Sequence, residues 1–229
     1  MRILAIDTAL PAVSVCVMDM TNLQILASVT REMERGHAEA LMPIIQSVVE
    51  STEGGFAALD RVAVTVGPGS FTGIRVGIAA ARAIGLARKI PVVGVSTLAA
   101  FAAPVISEGG ADVVASAVDA RHGSVYVQAF SRDGRSVIGP RAMTIREAIR
   151  SLGAGPVKLV GNAAPLMAIE AWSTGMSAEI INDDPAPEIG FVARLGYLAA
   201  PEFAPAKPLY IKAPDAKILT GRRTLRAAG

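Results

Sequence analysis

Cysteine and histidine are scarce in this sequence of 229 residues, which contains one cysteine, Cys16, and two histidines, His37 and His122. A single thiol excludes an internal disulfide and a zinc site made of cysteines, and we expect Cys16 to point from a strand into the core. Aromatic residues make up only 4% of the chain, which argues against an extended surface that stacks nucleic-acid bases. The net charge of +2 is too small for general binding to nucleic acid.

Long uncharged apolar runs are also missing. No stretch of about 18 such residues occurs, so we expect no membrane-spanning helix, and Asp7 interrupts the first apolar run too early for a signal peptide. We therefore expect a cytoplasmic protein. Hydrophobic residues nevertheless make up 52% of the chain, against 18% charged residues, and this balance predicts a folded chain with a substantial core.

Short apolar runs between turn residues predict nine strands. The five in the first half cover residues 3–6, 14–18, 25–30, 62–66 and 91–95, and the four in the second half cover residues 113–118, 124–130, 137–142 and 157–160. Helical spacing of apolar residues predicts six helices, the third of them cut short by Pro104. They cover residues 38–52, 74–88, 97–106, 144–152, 163–172 and 191–200.

The second half repeats the order of the first. A strand that ends in Ile-Asp at Asp7 is echoed by one that ends in Val-Asp at Asp119, and a Ser-Val pair opens the next strand in both halves. Three strands followed by helix, strand and helix, twice, predict two α/β lobes with mixed sheets and flanking helices. This plan resembles the actin and Hsp70 fold, in which both aspartates would face one cleft between the lobes. We expect lobes over residues 1–107 and 108–200, followed by an extended basic tail over residues 201–229.

A glycine-rich loop, residues 67–73 (GPGSFTG), follows a buried strand and opens a helix. Its amides meet the positive end of the helix dipole, so the loop can in principle hold an anion. Its spacing, G-x-G-x-x-x-G, misses the dinucleotide fingerprint by one residue, and it lacks the lysine of a phosphate-binding loop. Two interpretations remain: a tight turn that lets helix and sheet pack closely, or a direct contact with a ligand.

The helix after this loop is apolar on nearly all sides. Arg75, Arg82 and Lys89 lie seven residues apart on one narrow stripe, and Arg88 is the only other charged residue. A smooth ridge of small residues recurs at every fourth position: Gly73, Gly77, Ala81 and Gly85. Because glycine inside a helix costs about 1 kcal/mol relative to alanine, close backbone approach best explains this ridge. What approaches it is either another part of this chain or a second subunit.

Seven stretches resemble the bacterial TsaB (YeaZ) family, and the resemblance runs along nearly the whole chain. They are ILAIDT (3–8), HAE (37–39), LMP (41–43), VGPGSFTGIR (66–75), GVSTL (94–98), DAR (119–121) and PLYIKAPD (208–215). The glycine loop with its flanks is the most specific of them, and the C-terminal proline-tyrosine segment is moderately specific. The resemblance implies an actin/Hsp70-like (ASKHA) fold and a role in making threonylcarbamoyladenosine in tRNAs that read codons beginning with A.

In that family, the protein is the non-catalytic partner of the paralogous transferase subunit TsaD. An ATPase, TsaE, joins the complex, and a separate enzyme, TsaC, supplies threonylcarbamoyl-adenylate. The resemblance thus implies a subunit that binds and supports TsaD, forms a homodimer when alone, and meets tRNA through the complex. It implies no catalytic residue, no metal, and no cofactor beyond weak binding of ATP or ADP.

The residues themselves argue against a metal enzyme. The catalytic relative holds its metal with two histidines four residues apart, but the fourth residue after His37 is Leu41, and His122 lies in the other predicted lobe. His37 and Glu39 point to different faces of a helix and suit its first turn better than a metal site. The same gap argues against a metallopeptidase, and the lack of a G-x-S-x-G motif argues against a serine hydrolase.

Asp7 occupies the position that would orient magnesium through water in an actin-like ATPase. The glycines that wrap phosphates in such folds are missing, because the segment after Asp7 reads TALP (8–11). We therefore expect a degenerate nucleotide cleft, and the alternative is an active ATP-dependent small-molecule kinase or ATPase of the same fold. The candidate cleft residues are Asp7, Thr8, Gly67, Gly69, Ser70, Asp119 and Arg121.

The helices at about 38–52 and 74–88 are expected to complete a four-helix bundle with the matching helices of TsaD, or with a second copy of the chain. The candidate interface residues are Leu41, Ile45, Gly73, Ile74, Arg75, Gly77, Ile78, Ala81, Arg82 and Gly85. Trp172 is expected either to pack in the core or to lie on a lobe surface.

Six basic residues lie in the C-terminal tail: Lys207, Lys212, Lys217, Arg222, Arg223 and Arg226. They either contact tRNA phosphates or form a solvated, partly disordered end. The family-like stretch over residues 208–215 is expected to pack against the first lobe or against a partner.

Overall fold

The computed structural model describes residues 1–110 and 112–211, and these residues form two five-stranded sheets. The first sheet contains β1 (Arg2–Asp7), β2 (Ala12–Asp19), β3 (Gln24–Glu32), β4 (Arg61–Gly67) and β5 (Val92–Ser96). The second sheet contains β6 (Val113–Asp119), β7 (Ser124–Ser131), β8 (Ser136–Thr144), β9 (Val157–Val160) and β10 (Ala178–Asn182).

Six helices connect the strands of the described residues and cover the sheets. They are α1 (His37–Glu50), α2 (Phe71–Arg88), α3 (Thr97–Glu108), α4 (Ile145–Ser151), α5 (Ala164–Ser173) and α6 (Ile189–Leu198). A short 3₁₀ turn, Gly55–Ala58, follows α1. Within the ranges that the structure covers, none of the helices combines the length and apolar character needed to cross a membrane.

Both sheets have the same topology, with the strand orders β3-β2-β1-β4-β5 and β8-β7-β6-β9-β10. In each strand order, the first three strands pair with their neighbours in an antiparallel manner. The fourth strand is parallel to the third, and the fifth is parallel to the fourth. Asp7 pairs with Ser14 at the end of the first hairpin, and Asp119 pairs with Val125 at the corresponding place in the second. The repeat and the mixed sheets predicted from the sequence are therefore confirmed.

Several predicted bounds differ from the structure. α2 begins at Phe71 rather than at residue 74, because the side chain of Ser70 caps it by accepting a hydrogen bond from the N–H of Gly73. α3 continues through Pro104 to Glu108, since buried residues on both sides of the proline hold the helix together across the missing N–H. The sequence did not predict β10, a short edge strand whose residues are all at least partly exposed.

The first sheet is covered on both faces. Leu4 and Ile6 of β1 belong to a core cluster with α1 and α2, whereas Ile3 and Ala5 belong to a second cluster with α6. Burial on both faces explains why β1 is a continuous apolar run rather than an alternating one. Cys16 lies in the second cluster, as predicted, and burial raises the pKa of its thiol to about 12.

α3 joins the cores of the two sheets. Leu98 and Phe101 of this helix share the first core cluster with Val114 and Val118 of β6. The other face of the second sheet packs on α4 and α5 in a separate cluster. The two sheets are therefore held together by apolar contacts as well as by the chain connection.

α6 follows the second sheet along the chain but packs on the first. Gly196 lies so close to Ala63 of β4 that a Cβ at this position would overlap the alanine side chain. The guanidinium of Arg61, at the start of β4, donates hydrogen bonds to the carbonyls of Gly196, Tyr197 and Ala199 at 2.8, 3.0 and 3.0 Å. These bonds satisfy carbonyls that the end of a helix leaves free. The predicted lobe bounds stay a prediction, but α6 ties the second predicted lobe to the first sheet.

We predict that Arg61→Met lowers the free energy of unfolding by about 1–3 kcal/mol, because it removes the donor to these carbonyls while it keeps the aliphatic stem. Urea unfolding followed by circular dichroism measures the change. Arg31→Met, at an exposed position of β3, is the matched control and should change the same quantity by less than about 0.5 kcal/mol. Equal stabilities of the two variants would contradict the view that the hydrogen bonds of Arg61 to the end of α6 stabilise the chain.

Candidate functional site

The glycine loop is a tight turn between β4 and α2. Gly67 ends β4, and Ser70 caps α2. The turn is closed by residues that follow β1: the backbone N–H of Ser70 donates a hydrogen bond to the carbonyl of Ala9 at 2.6 Å. The hydroxyl of Thr8 donates a second one to the carbonyl of Gly73 at 2.7 Å. The loop is thus bound to the turn between β1 and β2.

Glycine is required in this loop because the turn between β1 and β2 lies directly against it. A Cβ at Gly69 would overlap the carbonyl of Ala9, and one at Gly73 would overlap the carbonyl of Thr8. A Cβ at Gly77, one turn further along α2, would overlap the Thr8 hydroxyl. Close packing therefore explains these glycines. Thr8 and Ala9 therefore occupy the space directly beside Gly69 and Gly73.

Asp7 is completely buried at the end of β1. Its Oδ1 accepts hydrogen bonds from the backbone N–H of Ala9, at 3.0 Å, and from the hydroxyl of Thr65. Its Oδ2 has no hydrogen-bond partner among the residues that the structure describes. Burial raises the pKa of this carboxyl above its ordinary value of 3.8, and the two hydrogen bonds and the charge of His37 offset the shift only in part. Asp7 thus has no exposed surface with which to hold a hydrated magnesium ion.

Asp119, the counterpart of Asp7 in the second half of the chain, is exposed. Its carboxylate accepts a hydrogen bond from the backbone N–H of Arg121 at 2.7 Å, and its own N–H donates to the side chain of Asn162 at 3.0 Å. Arg121 is exposed as well. The two aspartates have opposite environments, since Asp7 is buried and Asp119 is exposed, and the expectation that both face one cleft between the lobes stays a prediction. Contact of these residues with a nucleotide stays a prediction.

The glycine ridge of α2 faces the interior of the chain. Gly73 and Gly77 contact Thr8, and a Cβ at Gly85 would overlap the side chain of Val92. The candidate interface residues that prove to be buried are Leu41, Ile45, Gly73, Ile74, Gly77, Ile78, Ala81 and Gly85. The expectation that the ridge meets a second subunit is therefore wrong, because the chain's own first sheet already covers it. Of the ten candidates, Arg75 and Arg82 are exposed.

The opposite side of α2 is exposed, together with one side of α1. We call this surface the outer face, and it comprises Glu39, Met42, Gln46 and Glu50 of α1 with Arg75, Ala79, Arg82, Ala83 and Leu86 of α2. The two helices contact each other. Met42 is 48% exposed and Leu86 is 82% exposed. Large exposed apolar side chains on two helices that contact each other suit an interaction surface.

Sequence reasoning missed the small and apolar residues of the outer face. Ala79 and Ala83 are four residues apart, as are the members of the glycine ridge, so spacing alone did not distinguish the two sides of α2. The usable signal was the stripe of Arg75 and Arg82, since charged side chains mark the exposed side of a helix. The close fit of Thr8 against Gly73 and Gly77 decides which side is buried.

The remaining residues singled out in the sequence, His37, Glu39 and Trp172, lie in helices, and His37 and Trp172 contact backbone carbonyls of the chain. His37 and Glu39 lie in the first turn of α1, and the Nε2 atom of His37 is 3.0 Å from the carbonyl oxygen of Leu10. Trp172 lies on the surface of α5, where its indole N–H donates to the carbonyl of Ala178 at 2.9 Å. In the two described ranges, no three histidine, cysteine, aspartate or glutamate side chains are placed to hold a metal ion.

The segment after α6 returns to the first sheet. The N–H of Gly94 donates to the carbonyl of Ala204 at 2.9 Å, and the N–H of Leu209 donates to the carbonyl of Val66 at 2.8 Å. We call residues 204–211 the C-terminal strap. Up to residue 211, the family-like segment thus packs on the first lobe, as one of its two interpretations predicted. The basic tail residues that lie outside the described ranges are Lys212, Lys217, Arg222, Arg223 and Arg226.

Because folding raises the pKa of Asp7, we predict that Asp7→Asn stabilises the chain at pH 7. The amide keeps an acceptor for Ala9 and Thr65 and removes the cost of burying a charge, so the free energy of unfolding should rise by about 1–3 kcal/mol. The gain should shrink as the pH falls from the raised pKa of the folded chain towards 3.8, and little of it should remain below 3.8, where the carboxyl is neutral in the unfolded chain as well. Urea unfolding at pH 7 and at about pH 3.5 measures it. Lower stability of the variant at pH 7 would show instead that the fold needs the ionised carboxylate.

Known proteins resemble this chain in sequence. The family model of TsaD, described as tRNA N6-adenosine threonylcarbamoyltransferase, matches residues 24–173. Uncharacterized protein Rv3421c of Mycobacterium tuberculosis (strain ATCC 25618 / H37Rv) is 36% identical over 217 residues, which are 95% of this chain and 94% of that protein. The tRNA threonylcarbamoyladenosine biosynthesis protein TsaB of Escherichia coli (strain K12) is 36% identical over 140 residues, which are 60% of this chain and 58% of that protein.

Solved structures share the fold. YeaZ from Pseudomonas aeruginosa matches with a TM-score of 0.73 at 25% identity, over 91% of this chain and 99% of that chain. The ethanolamine utilization protein EutJ from Carboxydothermus hydrogenoformans matches with a TM-score of 0.50 at 11% identity, over 86% of this chain and 90% of that chain, and bears on the fold alone. The predicted two-lobed actin/Hsp70-like fold is confirmed. The chain belongs to the TsaB (YeaZ) family, in which the Escherichia coli relative is named as a tRNA threonylcarbamoyladenosine biosynthesis protein.

Proposed function

We propose that this chain is a non-catalytic subunit of the complex that transfers a threonylcarbamoyl group to adenosine next to the anticodon of tRNAs that read codons beginning with A. It binds and supports the transferase subunit TsaD in the cytoplasm. The ATPase TsaE joins the complex, and tRNA is met through the complex. Membership of the TsaB family supports the pathway, and the outer face is the observation that supports a docking role.

The outer face supports docking because it exposes apolar and small side chains on two adjacent helices. Met42 and Leu86 would lose contact with water in a complex, which favours association. Ala79 and Ala83 lie at exposed positions and leave room for another helix to approach α2 closely. A helix pair from another subunit would cover all four residues and complete a four-helix bundle.

The charges around the outer face favour a partner built on the same plan. Glu39 and Glu50 are exposed on α1, whereas Arg75 and Arg82 are exposed on α2. A second helix pair related by a two-fold axis can set its own α1 carboxylates against these arginines. A paralogue with the same fold meets this requirement. A second copy of the chain meets it as well, so we expect a homodimer when the partner is absent.

The degenerate cleft supports a role without catalysis. Thr8 and Ala9 fill the space beside the glycine loop, and Asp7 is completely buried with a raised pKa. A nucleotide-hydrolysing site needs open space for phosphates and a carboxylate that reaches a metal-bound water. The proposal therefore assigns to this chain no catalytic residue, no metal ion and at most weak binding of ATP or ADP.

We predict that Ala83→Arg weakens binding to TsaD of the same organism by about 100-fold or more, because an unpaired guanidinium would replace a methyl group at the helix contact. Isothermal titration calorimetry measures this affinity, and gel filtration measures the homodimer, which should also dissociate. Ala154→Arg makes the same change at an exposed position of the second lobe and should leave both associations unchanged. Survival of both associations in Ala83→Arg would rule out the outer face as the docking surface.

We also predict that Asp7→Asn leaves the rate of tRNA modification within about twofold of that of the parent chain, because its carboxyl touches no substrate. The assay follows incorporation of labelled threonine into tRNA by purified TsaC, TsaD and TsaE with this chain. Omission of the chain should lower the rate at least about tenfold. Complete loss of modification with Asp7→Asn, in a variant that still binds TsaD, would favour an active ATPase or kinase.

A further inference from the structure

The C-terminal strap runs beside the outer face and binds both of its arginines. Arg82 donates a hydrogen bond to the carbonyl of Ala206 at 2.6 Å, and the Nε of Arg75 donates to the hydroxyl of Tyr210 at 3.1 Å. The partners in these bonds are 124 and 135 positions apart in the sequence. The last part of the described chain thus orients the charged groups of a surface that belongs to α2.

Phe71, Arg75 and Tyr210 form an exposed group, which we call the aromatic cluster, at the N-terminal end of α2. The guanidinium of Arg75 lies over the ring of Phe71, 3.7 Å from its centroid. The rings of Phe71 and Tyr210 are 5.7 Å apart, measured between centroids. Phe71 is 42% exposed and Tyr210 is 47% exposed. Stacking on the ring of Phe71 and the hydrogen bond to Tyr210 restrict the side chain of Arg75, which would otherwise rotate freely at the surface.

The guanidinium of Arg75 keeps donors that it does not use toward residues 1–110 and 112–211. It forms no salt bridge with any residue that the structure describes, and its hydrogen bond to Tyr210 involves only Nε. The remaining N–H groups form a planar fork that suits a carboxylate. Tyrosine and arginine are also among the side chains that contribute most binding energy at protein interfaces.

We propose that the aromatic cluster is a docking point for the partner subunit and that the C-terminal strap positions it. This inference rests on the proposed function and extends the outer face to Phe71 and Tyr210. The partner supplies a carboxylate that binds the free side of the Arg75 guanidinium, and apolar atoms that cover the two rings. Tyr210 therefore has two roles, as a contact for the partner and as a positioning residue for Arg75.

The surroundings of the aromatic cluster favour a protein partner over RNA. Along α2, the cluster continues into Ala79 and Ala83, which offer nothing to a phosphate, and the Arg82 guanidinium between them already donates to the carbonyl of Ala206. Glu39 and Glu50 lie on the neighbouring helix and would repel an RNA backbone. A platform for single-stranded RNA instead combines its aromatic rings with a positively charged groove.

Tyr210→Phe tests the proposal, because it removes the hydroxyl that holds Arg75 and keeps the ring. We expect the affinity for purified TsaD, measured by isothermal titration calorimetry, to fall about fivefold to tenfold. Tyr210→Ala also removes the ring and should lower the affinity about 30-fold or more. Tyr197→Phe is the matched control, because Tyr197 is 44% exposed but lies on α6. Its affinity should equal that of the parent chain, and thermal melts check that each variant is folded.

A double-mutant cycle tests the positioning role of Tyr210. If its hydroxyl acts through Arg75, the pair Arg75→Ala and Tyr210→Phe should bind no more weakly than Arg75→Ala alone. Additive losses would overturn the positioning role. Should Tyr210→Ala fail to fold, Phe71→Leu provides a second readout, with an expected loss of about fivefold. Parent-like affinity of both Tyr210→Phe and Phe71→Leu would overturn the docking role.

The pattern of results separates this inference from the proposed function. If Ala83→Arg abolishes TsaD binding and the Tyr210 variants bind normally, the outer face is supported as the docking surface, but the aromatic cluster is not part of it. If the parent chain does not bind TsaD, the proposed function fails and this inference fails with it. If Tyr210→Ala weakens tRNA retention in filter binding and leaves TsaD binding intact, the cluster contacts RNA and the inference is overturned.

Discussion

The contact between the β1–β2 turn and the start of α2 determines the arrangement of the first lobe. Thr8 bonds to the carbonyl of Gly73, and Ala9 accepts a bond from Ser70, at distances that side chains at Gly69 and Gly73 would not permit. This contact places Gly73 and Gly77 of α2 against the sheet. The opposite side of the helix, which carries Ala79 and Ala83, therefore has to face outward. One interaction thus fixes the glycine loop against the β1–β2 turn and also exposes the outer face.

Duplication of the topology did not preserve equivalent sites in the two lobes. Asp7 and Asp119 end corresponding strands in sheets of identical order. Asp7 is completely buried and its pKa is raised, whereas Asp119 is exposed and bonds to the next turn of its own lobe. The electrostatic state of a carboxyl depends on what covers it, and that differs between the lobes although the strand order does not.

Segments from the end of the described chain complete the first lobe. α6 packs on the first sheet and is held at its C-terminal end by Arg61, and the C-terminal strap then reaches α2 and binds Arg75 and Arg82. The outer face is therefore bordered by a segment that is distant from it in sequence. This contact is the reason why our proposal links the docking role to Tyr210 and the C-terminal strap.

Periodicity and turn residues were sufficient to establish the strand order within each hairpin, the internal repeat and the mixed α/β class, because these features follow from short-range patterns such as the apolar run before Asp7. They also placed Cys16 in the core. They did not reveal β10, the extension of α3 to Glu108, or the burial of the glycine ridge. α2 is apolar on nearly all sides, so apart from the stripe of Arg75, Arg82 and Lys89 its pattern contains little preference for one face. The preference comes from the fit of Thr8, 65 positions away along the chain, against Gly73, and such a long-range contact exists only in the folded molecule.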